Sequence, residues 1–252
     1  MKIIENQLFD NKRLVEADHD ILIVRKCTFR NSDVFCDIRR CEKVLFRGCV
    51  WVPGDFTFSK KYVCGVRLGY SGKPEDGNGI VVFVDCCMDS FGEPSSDYST
   101  YNRDAICVER GNGAVYVDEC GFQGATDAIL DCKSPVYVKN SFLGRSYRQI
   151  RIWSGVVVTH FCNEFAEGAG VNKFWYENED SLLIAADMEI PKIEVETPKK
   201  INFVSSYFHV LVNDVVVSNH NDIKEAWQNA VNLYLANSDK KVTLTWDGGR
   251  VE

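Results

Sequence analysis

Apolar and polar residues alternate along this chain in short runs, and the runs return. Ile21–Leu22–Ile23–Val24–Arg25 leads into Lys26–Cys27–Thr28–Phe29, and Val44–Leu45–Phe46–Arg47 into Gly48–Cys49–Val50–Trp51. The phrase recurs at Val81–Cys86, Val115–Phe122, Val136–Phe142 and Val157–Cys162. Alternation of period two is the mark of a strand with one buried face. Cys27 and Cys49 stand 22 residues apart, Cys120 and Ser141 21, and Ser141 and Cys162 21. A fixed period of this length predicts a solenoid whose turns bury their apolar faces only by stacking. A crossover helix needs a dozen or more residues between parallel strands, and this period leaves no room for one. The expected fold is therefore mainly β, a right-handed parallel β-helix with two or three short strands per turn.

A second strand aligns in each turn: Asp33–Ile38, Asp104–Glu109, Asp127–Cys132 and Gln149–Trp153. Two turn-rich excursions, Gly69–Gly79 and Gly92–Tyr101, stretch the period between Cys49 and Cys120. In a solenoid such insertions project from one face, often the binding face. The pattern changes near the end. Phe208–Val217 reads as a strand pair about Asn213–Asp214. Asp222–Asn237 reads as an amphipathic helix with Asn221 as its N-cap and Trp227 and Tyr234 on its apolar stripe. Lys241–Trp246 alternates as a strand. The expected domains are a β-helix over residues 1–199 and a small α/β cap or accessory piece over 200–252.

Composition narrows the function. The 252 residues carry a net charge of −7, which offers no basic footprint for nucleic acid. There is no apolar run long enough to span a membrane and no signal-peptide core at Met1–Asn6, so the expected location is cytoplasmic, or released or virion-associated by lysis. The 11 cysteines sit within strands at the repeat period. That placement predicts a column of small buried thiols in a reducing compartment, in preference to zinc ligands.

Candidate chemistry lies on the second strands. With Ala105, Cys107, Ala128, Leu130, Ile150 and Ile152 facing inward, alternation turns Asp104, Asp127, Asp131, Gln149, Arg151 and Trp153 outward. Strands about 4.8 Å apart make Asp104 and Asp127 near neighbours, with Asp131 and Asn102 close by. Crowded carboxylates either take up a proton or recruit a cation. Three carboxylates and an amide oxygen suit Ca2+ as the metal ligands, the alternative being a solvated acidic face. One turn on, the face becomes basic. Arg151 is placed opposite Ile129, Arg148 stands at its lip, and Lys173 follows one period after Arg151. An acidic half beside a basic half suits an acidic polysaccharide, with Trp153 and Tyr147 stacking on sugar rings.

The segment Asp104–Ala105–Ile106, Val115–Phe122, Asp127–Ala128–Ile129–Leu130–Asp131 and Val136–Phe142 resembles the calcium-dependent pectate lyases over about residues 102–165. The resemblance implies a right-handed parallel β-helix, Asp104, Asp127 and Asp131 as calcium ligands, and Asn102 in the place of a further carboxylate. It puts substrate binding at Gln149 or Arg148, and Lys139 lies in the matching strand as a further substrate-binding residue. This chain departs from the family pattern. Tyr116–Val117–Asp118–Glu119 lacks the family's histidine, and Ala166–Lys173 lacks its catalytic arginine and proline. Two functions follow as expectations. One is calcium-assisted β-elimination on a uronic-acid polymer, with Lys173 as base and Arg151 or Arg148 pairing the sugar carboxylate. The other is a catalytically degenerate module that binds carbohydrate or protein, a role also filled by phage-type structural or accessory proteins.

Overall fold

The recurring runs become the rungs of three parallel ladders. In the computed structural model, which describes residues 1–97, 99–187, 189–193, 208–212, 215–220, 225, 229 and 242–246, every full turn contributes one strand to each ladder. The first sheet has eight strands, from Lys2–Glu5 through Ile21–Arg25 and Val136–Lys139 to Leu182–Ala185. The second has seven short strands, Leu8–Asp10 to Glu164–Phe165. The third also has seven: Leu14–Ala17, Val34–Arg39, Tyr62–Leu68, Asn102–Val108, Ala128–Cys132, Arg148–Ile152 and Asn172–Tyr176. All neighbours within these sheets are parallel and in register, which makes the chain a right-handed parallel β-helix.

Stacking of like on like builds the core. Phe9, Phe29 and Trp51 lie in register on the second sheet, with ring centroids 5.0 and 5.2 Å apart. Met88, Phe122, Leu143 and Phe165 continue the column. Phe46 stacks on Phe83 at 4.8 Å from the first sheet. Cys27, Cys49, Cys86 and Cys120 are all buried, each at the same place in its turn, as the period predicts. Each thiol donates to a nearby backbone carbonyl, as Cys49 does to Val24 and Arg47.

The corner before those thiols needs a left-handed residue in every turn. Asn6, Lys26, Gly48, Asp85, Glu119, Asn140 and Cys162 all have φ between 49° and 59°. Asn6, Lys26, Gly48, Asp85 and Asn140 each donate the backbone N–H to the next turn, as Lys26 does to Arg47 and Gly48 to Val84. At these five corners a hydrogen bond to the next turn holds the chain in a conformation that side chains ordinarily disfavour.

The chain divides into two units, Met1–Ile193 and Glu194–Glu252. In the second, Phe208–Val212 pairs antiparallel with Val215–His220 and with Val242–Trp246. The expected hairpin strands and the last strand are therefore present, while Asn213 and Asp214 lie outside the described residues. Of the expected helix, Glu225 and Asn229 are helical, and the remainder, with Trp227 and Tyr234, lies outside the described residues.

Candidate functional site: a cleft on the outer face of the third sheet

Six of the seven strands of the third sheet are bent at one point. The ladder pairs residues on both sides of the column Phe35, Gly65, Ala105, Ile129, Gln149 and Lys173 but skips that column. At the bend two successive residues turn inward: Ala105 with Ile106, and Ile129 with Leu130, all in the core. Alternation then restarts in the opposite phase. The next outward column reads Asp37, Arg67, Cys107, Asp131, Arg151, Trp175, in register across six strands. Beyond it, Glu109, Lys133 and Trp153 each donate a backbone N–H to the preceding turn and form a second outward column.

Together these columns wall a cleft of 640 Å³. Its floor is polar, with Asp104, Asp127, Asp131 and Asn102. The rings of Tyr62, Tyr70 and Trp153 lie around it, and Ser71 joins Tyr70 from the first excursion. Tyr70 is held by the guanidinium groups of Arg39 and Arg67, 4.7 and 5.0 Å from its ring centre.

The charges in the cleft are arranged as pairs. Arg148 donates to Asp127 at 2.7 Å, and Arg151 approaches the other Asp127 oxygen at 3.5 Å. Arg151 also binds Glu177 at 2.6 Å. The Trp153 indole N–H donates to Asp131 at 2.5 Å, and Lys133 lies 3.1 Å from Glu109 and 3.5 Å from Asp131. Arg67 and Arg39 both bind Asp37. Asp104 differs from these acids. Its oxygens accept from the Ala128 N–H at 3.0 Å and the Cys107 thiol at 3.4 Å. Burial, then the carboxylates of Asp131 and Asp127, push its pKa well above the ordinary aspartate value. Burial also lifts Asp127, to about 7, against the pull of Arg151. Burial and the neighbouring Arg151 lower Arg148 to about 10.

The acids expected to converge, Asp104, Asp127 and Asp131, do line one cleft with Asn102, Arg151 and Trp153. Other expectations need correction, and the bend is the main reason. Cys107 faces outward into the cleft, because the phase reset puts it in the column of Asp131 and Arg151. Gln149 faces inward, fully buried, and its amide donates to the carbonyls of Leu143, Gly144 and Ala166. It serves the packing of the turn and is not available to a ligand. Arg151 stands opposite Asp131 rather than Ile129, and its neighbour on the next strand is Trp175 rather than Lys173. Lys173 sits at the bend of the last strand, its side chain 49% exposed and 3.5 Å from Glu167, apart from the cleft lining. Arg148 is buried against Asp127 with its guanidinium over the rings of Tyr147 and Trp175, so Tyr147 stacks on an arginine. Lys139 belongs to the first sheet, 3.7 Å from Asp187 and away from the cleft.

Sequence reading missed Tyr62, Arg67, Tyr70, Glu109 and Lys133. The excursions hide the first three by breaking the period. Glu109 and Lys133 lie just past the strands, where backbone pairing continues beyond the alternating run.

As arranged, these donors do not fit a calcium shell. Asp127 and Asp131 are held by arginines, a lysine and an indole, and among the described residues no three carboxylate, imidazole or thiol side chains converge as a metal-binding group. One feature points the other way: the buried Oδ1 of Asn102 has no hydrogen-bond partner. No family model, curated protein or solved structure matches the chain.

Proposed function

We propose that the protein is a carbohydrate-binding solenoid that holds a glycan in the cleft on the outer face of its third sheet. The observation that carries this reading is one cleft in which the Tyr62, Tyr70 and Trp153 rings meet a floor of carboxyl groups, with Arg151 4.2 Å from the centre of the Trp153 ring. Aromatic rings pack against sugar rings, and carboxyl groups hydrogen-bond to sugar hydroxyls. Binding is favoured over cleavage because each cation lining the cleft already has an acid partner: Arg67 with Asp37, Lys133 with Glu109, Arg151 with Glu177. Lys173, the expected base, lies outside the cleft lining.

A glycan array carrying neutral and uronic-acid chains tests the reading. Binding is expected, and Trp153→Ala should weaken it about tenfold or more, the loss of one stacked ring. An array without a single binder would remove the proposal.

Calcium-assisted elimination on a uronic-acid polymer is the competing reading, and the unpartnered Asn102 oxygen favours it. Two measurements decide. Calorimetric titration with calcium should show binding that Asp104→Asn abolishes, and a uronic-acid polymer should yield unsaturated, ultraviolet-absorbing product. Absence of both leaves binding without turnover.

A further inference from the structure

A pair of thiols stands in the wall of the cleft. Cys64 lies on the strand Tyr62–Leu68 and Cys107 on its parallel neighbour Asn102–Val108. Their sulfur atoms are 2.9 Å apart. The ladder pairs Cys64 with Asp104 and Cys107 with Arg67, so the two side chains reach toward each other across a three-residue offset, and the strands draw together for the sulfurs to bond. Cys107 occupies a position that its column otherwise gives to charged or aromatic residues, between Arg67 and Asp131. Its sulfur also donates to Asp104 at 3.4 Å, and the Tyr62 hydroxyl is 3.8 Å away. Cys64 is fully buried and Cys107 is 3% exposed. The core thiols Cys27, Cys49, Cys86 and Cys120 lie in a packed apolar interior, whereas Cys107 lines an open cleft.

We propose that Cys64 and Cys107 are an oxidisable pair that closes to a disulfide when hydrogen peroxide enters the cleft. Cys64 and burial hold the Cys107 thiol pKa up, so its proton passes to the departing peroxide oxygen as its sulfur attacks the other and the O–O bond breaks. The thiol becomes a sulfenic acid and the first water leaves. Cys64 sulfur then displaces the sulfenic oxygen, the S–S bond forms, and the second water leaves with the Cys64 proton. Two thiols lose two electrons and two protons, and one peroxide becomes two waters. Oxidation removes the S–H donor from Asp104 and ties together two strands separated by both excursions. Redox state thereby acts on the acid in the cleft floor.

The test uses the full chain carrying Cys162→Ser, because Cys162 is an exposed thiol that would react first. The folded protein is treated with hydrogen peroxide, unfolded, alkylated and digested for mass spectrometry. The expected product is a Cys64–Cys107 cross-linked peptide, two hydrogens lighter than the free peptides and cleaved by dithiothreitol. The core thiols should be recovered alkylated. The oxidised chain should also melt at a higher temperature than the reduced chain, because the bridge restricts the unfolded state. Recovery of Cys64 and Cys107 as separate alkylated or singly oxidised peptides from a chain that has kept its circular dichroism spectrum would overturn the proposal. So would a bridge that appears only after unfolding. Neither outcome depends on whether the cleft binds sugar.

Discussion

Asp104 shows how one side chain can link stability to pH. Its folded-state pKa is raised by burial and by Asp131 and Asp127, whereas an unfolded aspartate titrates near about 3.9. Above that value the folded chain binds a proton that the unfolded chain has released. Stability therefore falls as pH rises from about 4 towards the raised value. Urea melts across that range should show this decline, to which Asp127, lifted to about 7, adds in the same direction, and Asp104→Asn should make the slope shallower; an unchanged slope in the variant would mean that Asp104 is ionised in the folded chain. Gly48 is a simpler case. It sits at φ +59°, and an added Cβ would meet nothing nearer than 3.8 Å. Gly48→Ala should then destabilise by about 1 kcal/mol through backbone conformation alone, and Gly48→Asn by less, since asparagine tolerates the left-handed region. Denaturant midpoints of the two variants provide the comparison.

Strands in this protein are stabilised through columns, so the effect of a substitution depends on which column it interrupts. Trp51 is fully buried between Phe29 below and Met88 above and also touches Phe46. Trp51→Ala should cost about 3–5 kcal/mol, as large-to-small changes in a packed core do. Gln149 interrupts an inward column with a polar group, and the site accommodates it because two carbonyls of its own turn and one of the next converge on its amide nitrogen. Gln149→Leu keeps the bulk but leaves those carbonyls without that donor, and should destabilise by about 2–4 kcal/mol. The two variants should differ in glycan binding as well. Gln149 adjoins Arg148 and Ile150, so its loss disturbs the strand that carries Arg151, whereas Trp51 lies on a different sheet. Thermal melts paired with binding on the same preparations would separate these effects.

Across the β-helix as a whole, one turn is a removable unit. Residues 120–140 contain one strand of each sheet: Gly121–Gly124, Ala128–Cys132 and Val136–Lys139. Excising them joins Glu119 to Ser141, brings Asn102–Val108 against Arg148–Ile152, and leaves every ladder in register. The shortened chain should remain β-rich by circular dichroism and melt at a lower temperature, with the cleft lost along with Asp127, Asp131 and Lys133. Excising only 120–132 removes two strands of the three and should abolish cooperative melting. Equal behaviour of the two deletions would argue against turn-by-turn assembly.

The architecture was legible in the chain because its signals are local. Alternation defines strands, and a 21- or 22-residue period defines stacking, so Cys27, Cys49, Cys86 and Cys120 could be placed in the interior from spacing alone. The carboxylates at 104, 127 and 131 could likewise be assigned to one wall. The bend at Ala105, Ile129 and Gln149 was not legible. It breaks the alternation without any glycine or proline at those three positions, and its place is set by where the third sheet must turn to close each coil. That turn sends Gln149 inward and Cys107 outward. Ion pairing was hidden for a related reason: Arg148 and Arg151 meet Asp127 one strand away, and only the register of stacked turns decides that arginines stand opposite that acid. Sequence alone determined which faces are apolar, since that depends on neighbours in the chain. The tertiary structure decided which charges meet, since that depends on neighbours across the ladder.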